Sequence, residues 1–373
     1  MNGYRSEWTS MILGGLSVMA FAASGLGTAE SAPFAYMANY VSNTVSVIDT
    51  ANNTVVKTIE SDQLNTPCGM AINPAGTQAY VLNCWVWGFI TLIDIPANTV
   101  AGQIPLDASP TGAVFAPDGT RAYVAMTSYI GFGSVAVVDT ATRAVVDTIP
   151  IGDLSQGIAI APNGKRVYTA YTGTGVETGN IAAIDTATDT VVDTIHTANT
   201  NLYGIAIAPD GARLYATSPV SEYHTVSVVD TATNLEAGPP IPVGYSPLGL
   251  AITPDGKSAY VANNDSDTVS VIDTVGHRVA GPPIPVGSNP RQVAITPDGR
   301  FAYVANFGSG TVSVISTATH TVVGPPIRVG TWPSGIAITP APAALDNFNR
   351  PAEDFNVVVA SPLWVQAAFG GVA

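Results

Sequence analysis

The chain has 373 residues, only 11% of them charged, with 27 Asp and Glu against 13 Lys and Arg and a formal net charge of −14. Charge is scarce beside the roughly 25% of an ordinary soluble domain, and the acidic balance excludes a phosphate-backbone partner, which needs clustered cations. It equally excludes electrostatic docking on anionic lipid. With 36 Gly, 28 Pro and 46% hydrophobic residues, neither a helical bundle nor a globally disordered chain fits, and an all-β protein is what remains.

The chain opens with an uncharged run, Met11 to Gly27, preceded by Arg5 and followed by Thr28-Ala29-Glu30-Ser31-Ala32. This is the order of a secretory signal peptide. Residues 1–32 are therefore expected to be removed on export, leaving no membrane span; an uncleaved anchor helix is the alternative, because 17 apolar residues approach the length of a span. Export also permits the two cysteines, Cys68 and Cys84, to pair. Two free thiols are the alternative, and no CxxC or Cys/His cluster supports zinc.

From Ala35 onward the chain repeats itself. A phrase of the AYVAN type recurs with its tyrosine at Tyr36, Tyr80, Tyr123, Tyr168, Tyr215, Tyr260 and Tyr303, at intervals of 43 to 47 residues. A GIAITPDG phrase precedes six of these, starting near Pro67, Pro110, Ser155, Leu202, Pro247 and Pro290, and stands alone at Pro333 to Pro340. A TVSVIDT phrase follows each, as at Thr44–Thr50, Thr268–Thr274 and Thr311–Thr317. Each unit thus predicts four short antiparallel strands, namely GIAIT, AYVAN, TVSVIDT and an outer T-V-V-x-x-I-P. Asp-Gly pairs such as Asp255-Gly256 supply the first tight turn. A β-rich period of this length predicts propeller blades. The predicted fold class is a seven-bladed β-propeller of four-stranded blades over residues 33–340, its ring closed when the last inner strand joins the first blade. Residues 341–373 lie outside the repeat as an extension.

These phrases resemble the YVTN β-propeller repeat family, found in surface-layer-type and lactonase-like propellers, over Ala35 to Pro340. The resemblance implies a seven-bladed, commonly exported or cell-surface protein. It implies no single activity, since propellers host many.

No catalytic constellation emerges from the residues. His277 and His320 share one turn position that other repeats fill with Asn53, Arg143, Asp189 and Asn234, which reads as a solvated turn. The repeated Asp49, Asp94, Asp139, Asp185, Asp230 and Asp273 read as turn caps. Asn263-Asn264-Asp265-Ser266-Asp267 carries alternating oxygen ligands without a full calcium-loop pattern. Neither a cofactor nor a metal is expected. The inner strands are Gly, Ala, Ile and Val almost throughout, and Arg291 is the one charge that approaches the axis. Loops on one face gather aromatics, so Trp85, Trp87, Tyr129, Tyr203, Tyr245 and Trp332, with Arg291, are the candidate ligand-binding residues. The functional expectation is an extracytoplasmic, monomeric, non-catalytic binding or scaffold module for a carbohydrate, peptide or cell-envelope ligand. The alternative is a lactonase-like hydrolase or lyase using loop carboxylates Asp107, Asp153 or Glu222.

Overall fold

The structure is a computed structural model describing residues 33–84, 88–172, 179–219 and 224–341. The expected signal peptide, the extension beyond Ala341, and Trp85, Trp87 and Glu222 lie outside the described residues. Among the described residues no helix is long and apolar enough to cross a membrane.

Each AYVAN phrase forms a strand, from Phe34–Asn39 through Ser258–Asn263 to Phe301–Asn306. Each pairs antiparallel with the TVSVIDT strand that follows it, with Tyr260 opposite Val271 and Tyr303 opposite Val314. These central strands are buried on both faces, which explains their near-continuous apolar reading. The outer strands are exposed except for one inward residue, such as Ile59 in Thr54–Glu60. In the last three repeats a Gly-Pro-Pro insertion breaks the outer strand into two short pieces, as in Arg278–Val279 and Ile284–Pro285. Proline has no N–H to donate to the ladder, so only an outer strand tolerates it.

Hydrogen bonding groups the strands into six antiparallel sheets of 4, 7, 5, 5, 5 and 4 strands. The expected fold class, seven four-stranded blades in a closed ring, is corrected on this finding: the sheets are six, unequal in size, and none closes into a ring. The physical reason lies in one continuous strand, Ala144–Ile160. Most inner strands begin at a proline (Pro67, Pro110, Pro247, Pro290, Pro333), which ends the preceding ladder. This one has Ser155 instead, so the link stays extended. Asp153 pairs with Phe132 on one side and with Thr172 on the other, which fuses two repeats into the seven-stranded sheet. At the opposite extreme of the chain, Pro333–Ile338 hydrogen-bonds to Phe34–Asn39, with Tyr36 opposite Ala337, and so ties the two ends of the described region into one sheet.

The repeats are joined by one recurrent contact. The turn after each TVSVIDT strand carries a residue with left-handed backbone: Asn53, Asn98, Arg143, Asp189, Asn234, His277 or His320, with φ between 48° and 57°. In four of the seven repeats the buried tyrosine of the preceding repeat bonds to this residue's side chain. Tyr36 donates to Asn98 Oδ1 at 2.5 Å, Tyr123 to Asp189 Oδ1 at 3.2 Å, and Tyr260 lies 2.8 Å from His320 Nδ1. Tyr303 donates to Asn53, 250 positions away in sequence. Tyr215 instead donates to the Thr274 carbonyl at 3.4 Å, with the His277 ring alongside. Tyr80 has no partner for its hydroxyl and packs edge-on against Phe115 at 4.5 Å. The turn position is therefore a docking point for a core tyrosine, which corrects its reading as merely solvated.

This arrangement sorts the tyrosines by cost. A net hydrogen bond contributes about 1 kcal/mol, whereas an unpaired buried hydroxyl costs stability. Tyr36→Phe is expected to lower the unfolding free energy by about 1 kcal/mol, and Tyr80→Phe to leave it unchanged or raise it. Urea denaturation of the two variants checks both; equal losses would contradict the assignment.

Candidate functional site

Seven inner strands converge on one cavity of about 220 Å³. Their sequence explains the convergence. Six carry glycine at the point of closest approach: Gly69, Gly112, Gly157, Gly204, Gly249 and Gly335. A Cβ on Gly335 would lie 2.6 Å from the Gly69 Cα, and one on Gly249 would lie 2.6 Å from the Arg291 carbonyl oxygen. Side chains are excluded where backbones meet this closely. The remaining strand, Pro290–Ile295, has Gln292 in the glycine register and Arg291 beside it. In the register of Arg291 the other strands carry Cys68, Thr111, Gln156, Tyr203, Leu248 and Ser334.

Arg291 is the only charged residue among those that line the cavity. It forms no ion pair among the described residues, whereas Arg121, Arg166 and Arg213 each pair with an aspartate, Asp189, Asp185 and Asp230. Its guanidinium carbon sits 4.3 Å from the centroid of the Phe307 ring, a cation–π contact that fixes the side chain without neutralising it. Phe307 in turn stacks on Trp332 at 5.0 Å, and Trp332 on Tyr40 at 6.4 Å. Cys68 and Cys84 both line the cavity and are joined by a disulfide across 16 positions, their Cα atoms 5.8 Å apart. Gln156 and Gln292 supply neutral polar groups, while the Thr111 and Ser334 hydroxyls donate to backbone carbonyls of Ser155 and Pro67. Such a wall can hold a small anion, with one fixed positive charge and several hydrogen-bonding groups around it.

The sequence-predicted aromatics do not assemble into one face. Tyr203 lines the cavity, and Trp332 belongs to the stack beside Arg291. Tyr245 packs edge-on against His224 at 4.8 Å, and Tyr129 stands 87% exposed in a turn of its own. Trp85 and Trp87 lie outside the described residues. The expected binding module acting through an aromatic-rich loop face is corrected accordingly. The rival carboxylates are not brought together either. Asp107 is exposed, Asp153 is part of the fused strand, and no carboxylate lines the cavity among the described residues. Gln292 was missed by sequence reasoning, although its signal was there: it interrupts a glycine that the other repeats keep.

Among the described residues no three His, Cys, Asp or Glu side chains gather to hold a metal ion. In the Asp-rich loop, Asp265 bonds to Ser246 Oγ and Asp267 accepts the Asn289 N–H at 2.7 Å, so the two carboxylates serve different loops. His224 accepts the Ser246 N–H at 3.1 Å, and His196 bonds to Asn180 at 2.7 Å. The repeated aspartates cap turns: Asp49 accepts the Ala51 N–H and Asp230 the Ala232 N–H. Hydrogen bonds from Thr142, from the Arg166 side chain and from Thr233 hold Asp139, Asp185 and Asp230 below the usual carboxylate range.

No protein-family model matches the chain, and no curated protein matches it. Among solved structures it is similar to the hydrazine synthase of Kuenenia stuttgartiensis, at 23% identity over 76% of this chain and 92% of that one, with a TM-score of 0.69. It is also similar to a protein of unknown function from Desulfotomaculum acetoxidans, at 16% identity over 82% of this chain and 99% of that one, with a TM-score of 0.69. At these identities the likeness establishes a shared all-β fold alone. The assignment to the YVTN family, and the secreted repeat protein it implied, are corrected: no family model carries the resemblance, and the similar structures bear other descriptions.

Burial pushes the phenol pKa of Tyr36, Tyr80, Tyr123 and Tyr215 up to about 12, and those of Tyr260 and Tyr303 rise for the same reason. The folded state therefore retains these protons better than the unfolded chain, whose phenols titrate near 10. That stability is fully present below pH 10 and is lost as pH climbs from 10 toward 12. Tyrosinate absorbance is expected to rise together with loss of β-sheet circular dichroism in this window. Complete ionisation of all the tyrosines near pH 10 with the fold intact, the buried ones included, would contradict the burial argument.

Proposed function

We propose that the protein binds a small carboxylate in the cavity formed by the inner strands, with Arg291 as its charge partner. The single observation that carries this reading is a guanidinium without an ion-pair partner, in a cavity without a carboxylate, among the described residues of a chain with a net charge of −14. An acidic protein offers an isolated arginine many ion-pair partners. Here Arg291 is instead braced by an aromatic ring in the wall of a polar-lined cavity. Desolvation by the surrounding backbone strengthens its pull on an anion, and Gln156 and Gln292 are placed to bond the same ligand. The bidentate geometry of guanidinium favours planar carboxylate over a spherical anion.

Calorimetric titration with acetate and succinate tests the reading. Arg291→Gln is expected to weaken binding by roughly 10- to 100-fold, the worth of a charge-assisted hydrogen bond, while leaving the melting temperature within a few degrees. Equal affinity in the wild type and the variant would overturn it.

A further inference from the structure

Trp332 is the most unusual backbone position next to the cavity. It has φ of +57° and directly precedes Pro333. The same pre-proline position holds Thr66 (φ 48°), Ser246 (51°) and Asn289 (52°) in other repeats. Leu154 (33°) and Asn201 (48°) hold the equivalent position before Ser155 and Leu202, so left-handed backbone recurs in this register and Trp332 is its one aromatic occupant.

The surroundings are specific. The Tyr40 N–H donates to the Trp332 carbonyl at 3.0 Å. The Trp332 ring stacks on Tyr40 and Phe307 with interplanar angles of 30° and 26°, yet the residue keeps 44% of its surface exposed. Phe307 carries the Arg291 guanidinium on its ring. A continuous aromatic ladder therefore runs from solvent to the one charge in the cavity.

We infer that the ligand is an aromatic carboxylate, its carboxylate on Arg291 and its ring against the Trp332–Phe307 end of the ladder. The inference rests on the proposed carboxylate site and adds the chemistry of the rest of the ligand. A methyl or short aliphatic group has nothing to gain from an exposed stacked indole. A flat π-system does, because an offset aromatic contact adds to simple burial. The left-handed backbone common to this register carries the indole between Tyr40 and Phe307, with part of its surface left to solvent. Trp332 is thereby a specificity residue for the ring, and Arg291 the anchor for the charge.

The test is an affinity ratio. Benzoate and indole-3-acetate are titrated against acetate into the wild-type chain, Trp332→Asn and Trp332→Phe. Asparagine is the residue that Asn289 already places at this position in the preceding repeat. In the wild type the aromatic ligands are expected to bind about tenfold more tightly than acetate. Trp332→Asn brings that ratio to near one, and Trp332→Phe restores most of it. A wild-type ratio near one, or a ratio that survives Trp332→Asn, overturns the inference. Acetate binding indifferent to Arg291→Gln marks instead the failure of the underlying site, and takes this inference with it.

Discussion

A phenol hydroxyl reaching a left-handed turn in the next repeat sets the offset at four of the seven repeat interfaces, the one between the last and first repeats included. A β-sheet of four short strands cannot bury both of its faces alone. Each repeat therefore needs a neighbour, and the neighbour must be held at a fixed offset. The AYVAN tyrosine spans the packed interface, and at four interfaces its hydroxyl ends on the side chain of the turn that follows the next repeat's TVSVID strand; Tyr215 ends on the Thr274 carbonyl, and Tyr80 packs on Phe115 without a partner. Tyr36 on Asn98, Tyr123 on Asp189 and Tyr260 on His320 are versions of one contact with different acceptor chemistry. Tyr303 on Asn53 performs it between the last and first complete repeats, alongside the strand pairing of Pro333–Ile338 with Phe34–Asn39.

Fixing the offset of each repeat brings the inner strands into backbone contact, and glycine follows as a consequence. Function then resides where the repetition fails. Gln292 replaces the glycine, Arg291 supplies a charge, and Trp332 takes a backbone conformation suited to asparagine. These three departures are neighbours through Phe307. A residue that breaks a local rule in a repeat protein costs stability that its copies elsewhere do not. Two such departures in the cavity wall, with a third linked to it through Phe307, argue for a site more strongly than any one of them.

Much of this was legible in the sequence, though unevenly. The strands and their tyrosines followed from the recurring phrases, because each phrase carries its own hydrophobic pattern and turn glycine. The number and size of the sheets did not. They turned on whether one link, Pro150 to Ser155, stayed extended, and that was decided by pairing on both of its sides. The tyrosine contact was hidden by its own variety. Asn, Asp, Arg and His at one turn position look like solvent-facing tolerance, when the shared feature is the backbone conformation beneath them. Arg291 was visible as a lone charge in a small-residue strand. Its link to Trp332 was not, since only packing brings positions 291, 307 and 332 together.

The most direct test of the account is a double-mutant cycle on the contact between the last and first repeats, using Tyr303→Phe, Asn53→Ala and both together, read by chemical denaturation. A coupling energy of about 1 kcal/mol is predicted for the side-chain bond; the longer 3.4 Å bond from the Tyr303 hydroxyl to the Thr50 carbonyl survives Asn53→Ala and does not enter the coupling. Strictly additive effects would mean that tyrosine and turn act independently, and would remove the contact on which the rest of the description stands.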